Sequence, residues 1–207
     1  MKENEFTAKW SELHGGAEIA GVVRGWLWIS YRVAKALHAA RISPHLLTLL
    51  GIATGVLTIP TARTSWAIAL LALSLLGDGL DGSLAIFGKQ TSDRGAIIDS
   101  VADRITEFAW LVAFTRIGAP LVVVGSAWGL ANAQEYLRAR AGGLGVREIG
   151  VVTIAERPVR ASLFVVALVA YQLELKLIVV IATLWLIMQA VSLAQVAISA
   201  YRKLSLH

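Results

Sequence analysis

Cysteine is absent from this 207-residue chain, and charged residues make up only 16% of it. The absence of cysteine excludes a disulfide framework and thiolate chemistry. Hydrophobic residues reach 57% of the chain and the mean hydropathy is +0.67, which is more than a water-soluble domain tolerates. We therefore expect a single-domain integral membrane protein.

Two further patterns are missing. The first residues lack the basic and then apolar pattern of a secretory signal peptide, so we expect no cleavage there, and no internal repeat is visible. The formal net charge of +5 raises nucleic-acid binding as an alternative, but the basic residues are distributed as membrane topology and phosphate binding require. We expect no nucleic-acid partner.

Hydropathy divides the chain into a polar tail, an interfacial helix and a spanning domain. Residues 1–16 are polar, which predicts a loose tail. Residues 17–41 are apolar with a stripe of basic residues that recur every three positions, which predicts an amphipathic helix in the membrane interface; a first spanning helix is the alternative. This basic stripe consists of Arg32, Lys35, His38 and Arg41.

Residues 42–207 contain apolar stretches near the length that a bilayer requires. The expected fold class is therefore all-α integral membrane, with six transmembrane helices preceded by the amphipathic interfacial helix. The six spans are predicted at 43–60, 66–88, 93–117, 119–141, 157–173 and 176–200.

The lysine and arginine residues predict the orientation. One side of a six-span domain holds the N-terminal region, the loops near 89–94 and 142–156, and the C-terminus, which together carry most of these residues. The other side has only Arg63, Arg116 and Lys176. Because cytoplasmic loops are enriched in lysine and arginine, we expect the basic side to face the cytoplasm from the cytoplasmic (inner) membrane.

All five aspartates fall between positions 78 and 103. Ionised carboxylates at bilayer depth are costly and mark functional sites. The 78/81 and 99/103 spacings each place two carboxylates on one helix face, so four carboxylates from two helices would form an oxygen-rich pocket for divalent cations. Structural ion pairing is the alternative. The fifth aspartate, Asp93, is expected to cap the third span.

The acidic segment reads Asp78-x2-Asp81-Gly82-x2-Ala85-Ile86-x8-Gly95-x3-Asp99-x3-Asp103. It closely resembles the signature D-x2-D-G-x2-A-R-x8-G-x3-D-x3-D of the CDP-alcohol phosphotransferases, an integral-membrane family with six spans that is usually homodimeric. The resemblance implies transfer of a phosphatidyl group from a CDP-lipid, CDP-diacylglycerol, to a small alcohol, with release of CMP. It also implies dependence on Mg²⁺ or Mn²⁺, with two ions expected, and a homodimer in the lipid bilayer.

The same resemblance assigns roles to single residues. Asp103 is expected to be the catalytic base as well as a metal ligand, since a carboxylate near the acceptor can take its hydroxyl proton. The expected metal ligands are Asp78, Asp81, Asp99 and Asp103. The expected nucleotide and donor-binding residues are Asp78, Gly82, Ala85, Lys89 and Gly95.

Ile86 is the one departure from the signature, because the family has arginine there. An isoleucine can neither donate hydrogen bonds nor carry charge, so donor affinity or activity is in question. Lys89, three residues later, is a candidate substitute for the missing cation. We expect Ile86→Arg to tighten donor binding, unless the site is repacked around isoleucine.

Two later segments indicate the acceptor. Tyr136-Leu137-Arg138-Ala139-Arg140-Ala141 and Glu156-Arg157-Pro158-Val159-Arg160 look like segments of bacterial phosphatidylinositol phosphate synthases. This resemblance implies that Arg138 and Arg160 bind the phosphate of an acceptor such as inositol phosphate. Simple topology anchoring is the alternative for these arginines. The third cation that the subfamily places on span six has no counterpart here.

Three other functions stay open on the sequence alone. The same chemistry could act on glycerol phosphate or on another alcohol. A divalent-cation transporter also lines its path with membrane carboxylates, although here they cluster near one end of their spans. A weakly active homologue that binds a CDP-lipid without turnover is suggested by Ile86.

Overall fold

A computed structural model describes residues 1–13, 16, 18–145 and 152–204. Across these residues we find eight α-helices and no strand, which confirms the all-α prediction. The helices are α1 (Glu3–Leu13), α2 (Gly21–Ala39), α3 (Pro44–Thr61), α4 (Trp66–Phe87), α5 (Asp93–Arg116), α6 (Leu121–Gly143), α7 (Arg157–Gln172) and α8 (Ile178–Leu204). Arg147, which belongs to the predicted cytoplasmic loop, lies outside the described residues.

Three of these helices are long and apolar enough to cross a membrane by length and composition, namely α3, α4 and α8. The protein is an integral membrane protein. Helices α3 to α8 match the six predicted segments closely in position, but α5 carries six charged side chains before Phe108 and α7 has only 16 residues. The number of spans therefore stays a prediction.

The loose conformation expected for residues 1–16 is wrong for most of the segment. Glu3–Leu13 form α1, and Phe6 on this helix is fully buried against Leu27 of α2 and Ile86 of α4. The hydroxyl of Tyr31 also donates a hydrogen bond to the Met1 carbonyl at 3.1 Å. This polar segment forms a helix because its few apolar side chains pack against an apolar surface formed by other parts of the chain.

The chain forms two compact units, which we describe separately. The first comprises Met1–Gly55 and Ala72–Thr106, and the second comprises Val56–Leu71 and Glu107–His207.

In the first unit, α3 and α4 cross at glycines. A Cβ atom on Gly77 would lie 3.2 Å from both the Gly51 Cα and the Leu47 carbonyl oxygen. The Ser74 hydroxyl donates a hydrogen bond to the Gly51 carbonyl at 2.8 Å, near the crossing. Small residues allow two helix backbones to approach this closely in a membrane, so this crossing fixes α4 just before Asp78.

In the second unit, α6 packs along α8 around a buried pair of amides. The Gln189 side-chain nitrogen donates a hydrogen bond to the Gln134 side-chain oxygen at 2.8 Å, and both residues are fully buried. On α5, Phe114 packs against Phe164 of α7 and stacks on Trp185 of α8, with ring centroids 5.3 and 6.3 Å apart. These contacts form the apolar core of the unit.

Candidate functional site

Three of the predicted carboxylates converge in the first unit. One oxygen from each of Asp78, Asp99 and Asp103 lies within 4.8 Å of the others, and all three residues are partly buried. Ligand oxygens around one octahedral Mg²⁺ stand about 3 to 4.2 Å apart, given bonds of about 2.1 Å. The donor set is hard and anionic, as Mg²⁺ and Mn²⁺ prefer. These residues therefore fit a divalent cation.

Asp81 is not part of this trio. Its carboxylate accepts a short hydrogen bond from the Thr48 hydroxyl and a 2.6 Å hydrogen bond from the backbone N–H of Gly82. The residue is buried. Thr48 lies on α3, so this contact joins α3 to the acidic face of α4. The proposed ligand role of Asp81 stays a prediction.

The expected donor-binding positions lie on α4, just after its end and at the start of α5. Gly82 is exposed, and a Cβ atom added there would meet nothing within 4 Å, which leaves room for a ligand to approach the backbone. Ala85 is half-buried, and Lys89 is exposed with a φ of 55°. The Gly95 backbone N–H donates to the Ser92 hydroxyl at 3.1 Å.

This last hydrogen bond corrects one expectation. Ser92 caps α5, because a side-chain oxygen one position before the helix satisfies a free N–H of its first turn. Asp93 is the first helical residue, where a negative charge favours the positive end of the helix dipole.

Ile86 lies in an apolar cluster. It is only 4% exposed and packs with Phe6 and Leu27, and Tyr31 and Phe87 lie against the same cluster. This apolar packing favours the alternative that the sequence left open, in which the site is built around isoleucine. The expectation that Ile86→Arg tightens donor binding is reversed, since the arginine would enter an apolar cluster.

In the second unit, Arg138 lies in an ion-pair network. Its guanidinium binds both carboxylate oxygens of Glu156, with distances of 2.6 and 3.0 Å, and also lies 3.3 Å from Glu135. Glu156 accepts further hydrogen bonds of 2.8 Å from the backbone N–H and the hydroxyl of Thr153. The network ties α6 to the segment that precedes α7.

Arg160 is held even more tightly. Its Nε and Nη2 donate to one oxygen of Glu107 at 3.0 and 2.5 Å, and its Nη1 donates to the Ala155 carbonyl at 2.6 Å. The side chains of Arg160 and Glu107 are 3% and 4% exposed. The predicted acceptor role of Arg138 and Arg160 stays a prediction, with the added constraint that both arginines already bind carboxylates.

Three residues that contact the predicted site residues had no role assigned from the sequence, namely Thr48, Glu107 and Glu156. Glu107 follows Asp103 by four positions and thus continues the 99/103 spacing on one helix face, a signal that could have found it. Nothing in the local sequence distinguishes Thr48 from other threonines of the apolar helices.

Acid should weaken the segment before α7. Burial raises the pKa of Glu156, but the hydrogen bonds from Arg138 and Thr153 outweigh it and lower the pKa from 4.5 to about 2. A lowered folded-state pKa stabilises the fold above pH 4.5, and this stabilisation is lost as the pH falls from 4.5 towards 2. The loss should be on the order of 3 kcal/mol, measured as a falling thermal midpoint in detergent micelles.

Glu156→Gln should remove most of that pH dependence. The exposed Glu174 offers a matched control, since Glu174→Gln should keep the wild-type profile. A Glu156→Gln protein whose midpoint falls as steeply with acid as the wild type would show that another group controls the acid response.

The chain belongs to the CDP-alcohol phosphatidyltransferase family, whose sequence model matches residues 41–197. A phosphatidylinositol phosphate synthase of Mycolicibacterium smegmatis is 33% identical over 144 residues, which cover 64% of each chain. The chain therefore spans just under two thirds of the length of this curated relative.

Two solved structures share the fold. One is a Mycobacterium tuberculosis phosphatidylinositol phosphate synthase with CDP-DAG bound, with a TM-score of 0.68 and 18% identity over 84% of this chain and 94% of that one. The other is the same enzyme in complex with manganese and citrate, with a TM-score of 0.68 and 19% identity over 83% and 88% of the two chains.

Proposed function

We propose that this chain is a metal-dependent phosphatidyltransferase of phospholipid synthesis. It transfers the phosphatidyl group of CDP-diacylglycerol to a polyol phosphate such as inositol phosphate and releases CMP. The convergence of Asp78, Asp99 and Asp103 at the spacing of the family signature carries this proposal. The names of the similar synthases support the choice of donor and acceptor.

Asp78, Asp81, Asp99 and Asp103 hold the divalent cations, two Mg²⁺ or Mn²⁺ ions. When bound, such ions neutralise the donor pyrophosphate and template the two substrates. Manganese in the mycobacterial structure supports this assignment. Because Thr48 already binds one oxygen of Asp81, Asp78, Asp99 and Asp103 would be the main ligands of the first ion.

The transfer itself is a displacement at phosphorus. An acceptor hydroxyl oxygen forms a bond to the phosphorus atom that carries diacylglycerol, while the bond from that phosphorus to the CMP oxygen breaks and CMP leaves. Asp103 takes the hydroxyl proton as general base. Gly82, Ala85, Lys89 and Gly95 line the donor, and the open space above Gly82 allows the nucleotide to approach the helix backbone.

The acceptor phosphate binds Arg138 and Arg160. Arginine forks suit phosphate because they donate two parallel hydrogen bonds. Arg138 is the more accessible of the two, with 22% of its side chain exposed, and its 3.3 Å contact with Glu135 is the longest of its carboxylate contacts. Replacement of Glu135 by a phosphate oxygen as a partner of Arg138 therefore requires the least rearrangement of the guanidinium.

The setting of the reaction is the cytoplasmic face of the inner membrane. Helices α3 to α8 form six spans in this proposal, and the positive-inside distribution of lysine and arginine supports the orientation. The amphipathic pattern of α2 supports an interfacial position for that helix. The usual state of the family suggests a homodimer.

The test is CMP release by the purified full chain in detergent micelles that contain CDP-diacylglycerol and Mg²⁺. We expect release with inositol phosphate, loss of release in excess chelator, and loss of CMP binding in Asp78→Asn and Asp99→Asn. Inositol and glycerol phosphate serve as parallel acceptors, and Asp93→Asn is the matched control outside the carboxylate trio.

Each alternative gives a different outcome. Faster release with glycerol phosphate or an uncharged alcohol reassigns the acceptor. Metal-dependent CDP-lipid binding without release identifies a weakly active homologue. Metal uptake by proteoliposomes without nucleotide binding identifies a transporter and refutes the transferase proposal.

A further inference from the structure

The α4 backbone around Asp78 is in close contact with neighbouring helices on two sides. The sequence reads Gly77-Asp78-Gly79, and each glycine faces a different neighbouring helix. A Cβ atom on Gly77 would lie 3.2 Å from the backbone of α3, and a Cβ atom on Gly79 would lie only 2.7 Å from the Trp26 ring of α2. Real Cβ atoms do not approach other atoms within 3 Å, so only glycine fits at position 79 beside this indole.

Leu27, the residue after Trp26, also holds α2 against α4. Leu27 is fully buried in the cluster with Phe6 and Ile86. Helix α2 therefore contacts α4 at two points. One is Gly79, between Asp78 and Asp81, and the other is Ile86, after both aspartates. A helix held at two points along its length cannot rotate or shift at the carboxylates without breaking one contact.

We propose that Trp26 is a positioning residue for the metal-binding carboxylates of α4. This inference rests on the metal site of the proposed function. The indole determines the position of Asp78 relative to Asp99 and Asp103. Groups behind metal ligands typically change metal affinity by about 10–100-fold when removed. Trp26 acts through the helix backbone, because its ring lies against the backbone of Gly79.

The measurement is Mn²⁺ affinity of the full chain in micelles, read from the electron paramagnetic resonance signal of free Mn²⁺. Trp26→Ala should weaken Mn²⁺ binding about tenfold, at the low end of the range for groups behind metal ligands. Trp26→Phe should recover part of the affinity because it keeps a ring. Trp28 is the matched control, since it lies two positions away on α2 and is 47% exposed, so Trp28→Ala should bind Mn²⁺ as the wild type does.

A double-mutant cycle isolates the contact itself. Gly79→Ala alone should also weaken Mn²⁺ binding, because the added methyl must displace the indole or α4. In the Trp26→Ala background the methyl has room, so Gly79→Ala should add little further loss. Non-additivity of this kind is expected for residues that are in contact or coupled through a shared shift of the backbone, and not for distant, independent residues.

Several results would overturn the inference. If the wild type binds Mn²⁺ and Trp26→Ala binds it equally, or loses only thermal stability, the indole is ordinary packing and the proposed function stands. Additive losses in the cycle would also exclude the contact as the cause. Absence of Mn²⁺ binding in the wild type would refute the proposed metal site and this inference together. Trp26→Ala and Trp26→Phe carry the test if Gly79→Ala does not fold.

Discussion

Arg160→Ala should destabilise the protein by about 3 kcal/mol, because it leaves the buried carboxylate of Glu107 without its main partner. The expected loss is at the low end for broken buried ion pairs, since the Arg157 Nε also lies 4.0 Å from the same oxygen. The measurement is the thermal midpoint in detergent micelles. Arg140→Ala, at an exposed position of α6, is the matched control and should leave the midpoint unchanged.

A paired substitution separates stability from acceptor binding. Glu107→Leu with Arg160→Met removes both charges at once, and such apolar replacements of buried ion pairs are often neutral or stabilising. The midpoint should therefore recover. If Arg160 binds the acceptor phosphate, the KM for inositol phosphate stays raised in this pair while CMP binding is unchanged. A recovered KM would assign Arg160 to the fold alone.

Ile86→Arg should cost about 3 kcal/mol or more, since buried unpaired charges give the largest losses among single substitutions. The position is 4% exposed among Phe6, Leu27 and their neighbours. Burial of a guanidinium there should release α1 from the cluster, seen as faster proteolysis within residues 1–13 and a lower thermal midpoint. Ile86→Leu keeps the volume and should cost less than about 1.5 kcal/mol.

A second substitution tests the cause. Phe6→Ala in the Ile86→Arg background opens a path by which the arginine stem can carry its charge to water, so part of the lost stability should return. An Ile86→Arg protein with an unchanged midpoint and tighter CMP binding would contradict this account. It would show that arginine reaches the donor here as the family signature implies.

The sequence predicted the helices of the spanning domain well. Long apolar runs end at charged loops, and Pro44 and Pro158 lie at or next to the first residues of α3 and α7, as proline favours helix starts. Helix α1 was missed because its apolar residues are few. Phe6 and Trp10, four positions apart, share one helix face, but the surface that Phe6 covers is formed by distant parts of the chain.

The carboxylate trio could also be predicted, because spacing along a helix determines which side chains share a face. Spacing does not predict which residues of other helices contact that face. Arg138 and Arg160 were expected to bind an acceptor phosphate, but the sequence did not predict that Glu156 and Glu107 bind them. Likewise, the missing cation at Ile86 is visible in the sequence, whereas Phe6, which packs in the same cluster as Ile86, comes from eighty positions earlier.

The buried amide pair between Gln134 and Gln189 has a consequence for the surrounding bilayer. A slide of α8 along α6 by one helical turn, about 5.4 Å, would separate the two amides and leave their polar atoms in an apolar core. The pair therefore fixes the register of these helices. A spanning helix usually accommodates a membrane of different thickness by tilting, by kinking or by local adjustment of the bilayer. Because the amide pair holds α8 against α6, a change in lipid chain length should be met by tilting of α8 together with α6 and not by sliding of one helix along the other.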